Sequence, residues 1–346
     1  VPIMMQGTSC KKKPHSIMSH KSSIFYAQKS RAFPYNNANT RDMNGVAMTQ
    51  SRRVVVLAND VSATSHDGVL PSYASQRELD DTTAAIVDAL AQRGWHVDVL
   101  MVTDSVATLG DLLAPLQPDL VFNVVEALNG DDLRGHEAAA MLEQLGTPFT
   151  GTSAALFLLT CQKELPRAVL QAHGVRMPAG VVINHHADLD HIDMPYPLIV
   201  KPAHRHASVG ISQQSVVRTR AALAQQVDFI QQQVGWPVIV EQFIAGAEYT
   251  ASFVTQPATS MPYIKTLDFS RLADGYFPIV SYDCKWTESA YEYTAISVVP
   301  LDAHFPATLS AAITQIAQAT VAALGITSYT NIDIRMDDDE IGRAHV

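Results

Sequence analysis

The sequence predicts an α/β chain: an N-terminal domain on a parallel, Rossmann-like sheet, then a longer region of mixed α and β character. Two observations predict it. From Arg53 to Gly151, apolar strand-type runs alternate with amphipathic helical stretches, the pattern of βαβ units on a parallel sheet. Farther on, the segment 238–250 reads as a strand, a turn at Ala245-Gly246 and a second strand.

The elements follow in order. Residues 54–58 form a nearly continuous apolar run, as buried parallel strands do. A helix over 76–93 is apolar at Leu79, Ala84, Ile86, Val87 and Leu90 and is closed by Gly94. A strand over 97–102, a short helix over 109–116, a strand over 120–125 and a helix over 133–145 complete the first domain at Gly151. No GxGxxG follows the first strand, so a dinucleotide site is not supported. A helix starts near Ser153 with Gln162-Lys163 inside it, and Gly174 ends it. A helix over 220–233 is apolar at Leu223, Val227 and Ile230, with Gly235 stopping it. Residues 332–339 read as a strand running into an acidic turn.

The most informative stretch is Tyr196-Pro197-Leu198-Ile199-Val200-Lys201-Pro202 followed by Ser208-Val209-Gly210. A strand delivers a lysine, and a loop of small residues exposes backbone N–H groups behind it. That order suits a nucleotide phosphate. Thirty residues later Glu241-Gln242-Phe243-Ile244 and Glu248 flank the second turn.

Together these blocks resemble the ATP-grasp superfamily, in particular D-alanine–D-alanine ligases and related carboxylate–amine ligases. The resemblance runs from about Arg53 to Asp339 and implies a pre-ATP-grasp domain followed by a two-lobed ATP-grasp domain. It divides the chain into 51–151, 152–240 and 241–340. It implies contacts to ATP from Lys163, Lys201, Ser208, Val209, Gly210 and Lys285, an adenine edge held by Glu241, Gln242, Phe243 and Ile244, and a ribose taken by Glu248. Tyr282-Asp283-Cys284-Lys285-Trp286 resembles a family motif whose lysine reaches the transferred phosphate. Without that pattern Lys285 would read as a strand-edge lysine. Lys285, Asn331 and Ser208 are the implied catalytic positions. Asp333 is the implied ligand of magnesium or manganese. Ser75-Gln76-Arg77-Glu78-Leu79 makes Glu78 a candidate for the substrate amino group, with Glu126 facing the same substrate. The implied chemistry is ADP-forming amide synthesis through an acyl phosphate, serving peptidoglycan and the cell wall; the alternatives are an ATP-grasp ligase for other amino acids or small acids and a nucleotide-binding protein without ligase activity. The implied state is a cytoplasmic homodimer.

Several positions depart from the family. Ala203-His204-Arg205-His206 replaces a more usual Arg-Glu-Gly run. His204 and His206 then read as exposed loop residues, and Arg205 as a candidate phosphate contact. Glu126 stands where a His is common. Asn331 stands where an Arg stabilises the tetrahedral intermediate. The family's Glu and Asn on the strand after Asp333 are expected to be missing with a truncated C-terminus, and Glu340 is not taken as a substitute for that Glu. Residues 341–346 match a translated sequencing adapter and are expected to be a non-native tail.

Composition sets outer bounds. The 346 residues are 47% hydrophobic, enough for real cores, and no uninterrupted apolar run approaches the roughly 18 residues of a membrane span. Cys10, Cys161 and Cys284 are too few and too scattered for a disulfide framework. Residues 1–53 hold nine Lys/Arg against one acid, while the chain as a whole carries −10. The acidic remainder makes nucleic acid an unsuitable partner. Residues 1–50 show no helical or strand period. They read as a segment outside the fold, either upstream translation ahead of Met48 or a targeting segment.

Overall fold

The computed structural model describes residues 52–60, 73–255, 261–301, 305–337 and 340–345. The expectation for residues 1–50 lies outside them. The chain divides into two compact units, one built from β1 and residues 76–155, the other from Leu156 onward.

In the first unit the elements are β1 (Arg53–Asn59), α1 (Tyr73–Gln92), β2 (His96–Val102), α2 (Leu109–Leu113), β3 (Leu120–Asn123) and α3 (His136–Gln144). The sheet runs β2-β1-β3 and is parallel, with Val54 opposite Val97 on one side and Leu120 on the other. The central position of β1 explains its unbroken apolar run, since both its faces are covered. Leu57, Leu109, Val121 and Leu142 meet in the core. Three expected elements are shorter, α2 among them, which ends at Leu113. β3 stops at Asn123 because the Asn123 Oδ1 accepts from the Val125 N–H (3.2 Å) and turns the chain. The helix expected over 133–145 is a single tight turn at Asp132–Arg134 followed by α3. Asp131 caps that turn, its Oδ1 accepting from the Leu133 N–H at 2.9 Å.

α4 (Ala154–Cys161) and α5 (Glu164–Ala172) replace the single helix expected after Ser153. The break falls at Gln162-Lys163, so Lys163 occupies the N-cap of α5 rather than a helix interior.

The second unit continues with β4 (Gly180–Ile183), β5 (Leu198–Pro202), β6 (Val216–Val217), α6 (Arg220–Gln233) and β7 (Val238–Gln242). These strands form an antiparallel sheet in the order β4-β7-β5-β6. α6 spans the residues its spacing predicts and buries Leu223, Val227 and Ile230 against Val200 and Val240. Then come β8 (Glu248–Val254), β9 (Tyr263–Asp268), α7 (Tyr282–Trp286), α8 (Tyr291–Ala295), β10 (Ser297–Pro300), α9 (Ala307–Leu324), β11 (Tyr329–Asp337) and β12 (Glu340–His345). The second sheet runs β10-β9-β8-β11-β12. α9 is apolar and long enough to cross a membrane by composition alone, yet its Ile313 and Ala317 pack on Ala251, Ile332 and Ile334 of this sheet. Lys285 sits on α7, not on a strand edge: the Ser281 Oγ accepts from the Cys284 N–H (3.1 Å) and starts a helical turn there. The segment expected as a tail is paired in the sheet, with Asp333 opposite His345 across β11 and β12. An open strand edge accepts an extended chain through backbone groups alone.

The turn from β7 to β8 lies against β11. A Cβ on Gly246 would stand 1.6 Å from the Met336 carbonyl oxygen, so only glycine permits that approach.

Candidate active site

The strand period places the site. On β11, Ile332 and Ile334 point into the α9 core, which turns Asn331, Asp333 and Arg335 to the opposite face. On β8, Tyr249 and Ala251 enter the same core, and Glu248 and Thr250 face away from it. These side chains, with Lys201 of β5 and the loop 205–209, line a cavity of about 260 Å³.

Three lysines reach its wall from three elements: Lys163 from the N-cap of α5, Lys201 from β5 and Lys285 from α7. Lys163 Nζ donates to the carbonyls of Ala203 (3.2 Å) and Arg205. Lys201 Nζ forms an ion pair with the Glu241 carboxylate, which also takes Arg167 Nη1 at 2.6 Å. Glu241 is buried and does not line the cavity, so its carboxylate is occupied behind the wall. Gln242, Phe243 and Ile244 do line it. Gly180, opposite Glu241 on β4, makes room for the pair, since a Cβ there would meet Glu241 Cγ at 2.8 Å.

The loop is latched at several points. Ser208 Oγ donates to the Val280 carbonyl (2.8 Å), and Trp286 Nε1 donates to the Ala207 carbonyl (2.8 Å). Ala207 and Ser208 both hold positive φ, 56° and 59°, a costly backbone for residues with a Cβ. Gly210, at φ 76°, packs on Pro202, where a Cβ would approach Cγ to 2.9 Å. It shapes the loop without lining the cavity, whereas Val209 lines it. His204 and His206 are half-buried rather than exposed. His204 Nε2 lies 3.0 Å from Glu164 Oε1, so the start of α5 holds the loop here too. Burial, reinforced by Lys163 and Arg205, lowers the His206 imidazole well below its ordinary range.

Asp333 Oδ1 accepts from Thr250 Oγ1 at 2.8 Å. Burial, then the Glu248 carboxylate, push the Asp333 carboxyl above its usual range, while Thr250, Lys285 and Lys265 pull the other way. Asn331 Oδ1 accepts from Ser252 Oγ at 2.7 Å. Asp333 places one carboxylate on the wall, and among the described residues no cluster of three or more His, Cys, Asp or Glu is set to hold an ion. Magnesium is commonly held by one or two carboxylates together with substrate phosphates, so Asp333 fits an ion that arrives with a nucleotide.

Three residues escaped the sequence reading. Arg335, two residues beyond Asp333, is buried and donates Nη2 to Glu248 Oε2 at 2.6 Å. Lys265 of β9 stands across from Thr250, which in turn pairs with Asp333. Burial, then Lys285, lowers the Lys265 ammonium, and Asp333 opposes the shift. Arg167 of α5 completes the Glu241 pair. For Arg335 the signal was present in the i, i+2 alternation of β11. Lys265 and Arg167 gave none, because their roles depend on strands and a helix that meet only in the fold. Glu78 lies near the start of α1, and Glu126 follows β3 in the first unit, its N–H donating to Asn59 Oδ1 at 2.8 Å.

Residues 181–342 match the family described as D-ala D-ala ligase C-terminus. A D-alanine–D-alanine ligase of Sphingopyxis alaskensis is 25% identical over 283 residues, covering 78% of this chain and 82% of that protein. The crystal structure of a D-alanine–D-alanine ligase from Bacillus anthracis shares the fold, with a TM-score of 0.62, 17% identity and 85% coverage of each chain. The VanG D-Ala:D-Ser ligase from Enterococcus faecalis does so with a TM-score of 0.62 and 17% identity, covering 86% of this chain and 89% of its own. With a parallel-sheet unit ahead of two antiparallel sheets and three lysines around one cavity, the chain is similar to D-alanine–D-alanine ligases over about four fifths of its length and shares their fold.

Proposed function

We propose that the chain is an ATP-dependent, ADP-forming carboxylate–amine ligase that joins two D-alanine molecules through an acyl phosphate. The observation that carries this reading is the convergence of Lys163, Lys201 and Lys285 with Asp333 on one cavity wall. Joining a carboxylate to a phosphoryl group brings two anions together, and three ammonium groups are the charge that such an encounter requires.

In this reading Lys163 and Lys201 hold the α- and β-phosphates, and Glu241 and Arg167 fix the Lys201 side chain. Gln242, Phe243 and Ile244 form the adenine edge. Ser208, Val209 and Arg205 close on the phosphates. A magnesium ion, when bound with the phosphates, adds Lewis-acid polarisation of the transferred group beside Asp333. Lys285, on α7, neutralises charge as the substrate carboxylate attacks the γ-phosphorus and the bond to ADP breaks. The latched loop keeps water from the acyl phosphate. Attack by the amine then releases inorganic phosphate, with Asn331 donating one neutral hydrogen bond to the tetrahedral intermediate. Glu78 and Glu126 are the candidates for the substrate amino group. A cytoplasmic homodimer in peptidoglycan precursor synthesis fits the likeness to D-alanine–D-alanine ligases, and two buried thiols, Cys161 and Cys284, suit a reducing compartment.

A second reading changes only the substrates. Asn331 carries no charge where the related ligases use an Arg, and Glu126 replaces a common His, which favours a different amino-acid pair. ADP release measured with D-alanine and with a panel of D- and L-amino acids separates the two. Turnover with D-alanine above every other amino acid supports the first reading. ADP release only with another amino acid supports the second, and no release with any of them overturns both.

A further inference from the structure

We infer that Arg335 is a positioning residue that sets the preference of this site for a ribonucleotide, by presenting Glu248 to a sugar hydroxyl; the inference rests on the ATP reading above. Arg335 is a buried guanidinium on β11, and the turn after β7, the start of β8 and the Pro278 segment meet on it. Nη1 donates to the Ile244 carbonyl (2.9 Å) and lies 3.5 Å from the Gly246 carbonyl, both in the turn from β7 to β8. Nη2 donates to the Pro278 carbonyl and to Glu248 Oε2 at 2.6 Å. The guanidinium carbon lies 5.5 Å from the Phe243 ring centre, and Phe243 packs edge-on against Phe277 at 5.6 Å.

Each contact constrains Glu248. A buried cation must be paired and hydrogen-bonded, and a planar fork satisfies several acceptors in one fixed orientation. Holding three carbonyls, the guanidinium cannot swing away when the carboxylate moves. With Oε2 committed to Arg335, Oε1 is the oxygen left to accept from a hydroxyl in the cavity. The Arg335 stack also fixes the Phe243 face beside the turn that would carry the base. A lysine could pair with Glu248 but could not hold the turn, the Pro278 segment and the carboxylate together.

The test measures affinities of the full chain for ATP, 2′-deoxy-ATP and 3′-deoxy-ATP by calorimetry, without amino acids. The wild-type chain should bind the weaker deoxynucleotide about tenfold less tightly than ATP, as expected when a charged acceptor loses its hydroxyl. In Arg335→Met that ratio should fall to within about twofold, with Glu248→Gln giving the same collapse and the double variant falling no further. Arg335→Lys serves where the methionine variant does not fold, and it should reduce the ratio at least threefold. A general loss of fold weakens all three nucleotides alike and leaves the ratio unchanged. A wild-type ratio preserved in every folded Arg335 variant overturns the inference while leaving the ATP reading intact. Absence of ATP binding in the wild-type chain overturns both.

Discussion

Lys201 and Glu241 lie diagonally across the β5–β7 ladder, Ile199 opposite Glu241 and Lys201 opposite Ile239, and their charged ends meet on one face of that sheet. The carboxylate is buried and the ammonium stands at the cavity wall. The lysine proposed to meet phosphate is therefore held from behind.

Glu241→Gln removes the charge that balances both Lys201 and Arg167. Breaking one partner of a buried pair costs about 3 kcal/mol or more, so the urea midpoint should fall clearly. ATP affinity should drop as well, because Lys201 loses its anchor. An unchanged midpoint and affinity would show that the pair is idle.

Lys285→Met should leave the fold intact, since the side chain comes from the short α7 and ends at the cavity. Turnover should fall by about 10²–10³ at saturating ATP, the range for losing one stabiliser of transition-state charge, with a much smaller change in nucleotide affinity. Steady-state ADP release beside calorimetric ATP binding reads both quantities. A parallel loss of the two would place Lys285 in ground-state binding instead.

Gly246→Ala tests the close approach of the β7–β8 turn to β11. The added Cβ would collide with the Met336 carbonyl, and backbone has to move. A loss of roughly 2–4 kcal/mol is expected, read as a lower thermal midpoint. Gly174→Ala is the comparison: no atom lies within 4 Å of a Cβ there, and only its φ of 76° carries a cost.

Asp188 accepts from the Asn184 and His185 N–H groups (2.8 and 3.0 Å), and these bonds lower its carboxyl below 3.8. A depressed folded-state value stabilises above the unfolded value and loses that contribution as pH falls through the folded one. The gap in stability between the wild-type chain and Asp188→Asn should therefore be present at neutral pH and close progressively below pH 3.8. Paired thermal melts across the acid range measure it.

Much of the fold was legible because period and position agree. The apolar run of β1 announces a central parallel strand, and the 3.6 spacing of Leu223, Val227 and Ile230 marks α6 at its observed limits. The lysines were legible through their local motifs. Lys163 reads as a helix-interior residue, but Pro166 has no N–H to bond the Gln162 carbonyl, a break falls there, and Lys163 stands at the start of α5 with its ammonium on loop carbonyls 40 and 42 residues away. Glu241 reads as part of an adenine edge with Gln242, Phe243 and Ile244; its carboxylate answers two cations from β5 and α5. Long-range charge pairing of this kind leaves no periodic trace. His204 likewise reads as solvated until Glu164 is brought beside it.

Asn331, Asp333 and Arg335 share one face of β11 because β11 is aligned residue for residue against β8, Asn331 with Ser252, Asp333 with Thr250 and Arg335 with Glu248. A slip of one position would turn all three toward α9 and bring Ile332 and Ile334 out to solvent. The apolar face of the same strand thus proofreads the polar one. Errors in pairing are penalised by exposed isoleucine before any nucleotide arrives, so a chain that has buried Ile332 and Ile334 has already set its carboxylate and guanidinium in place.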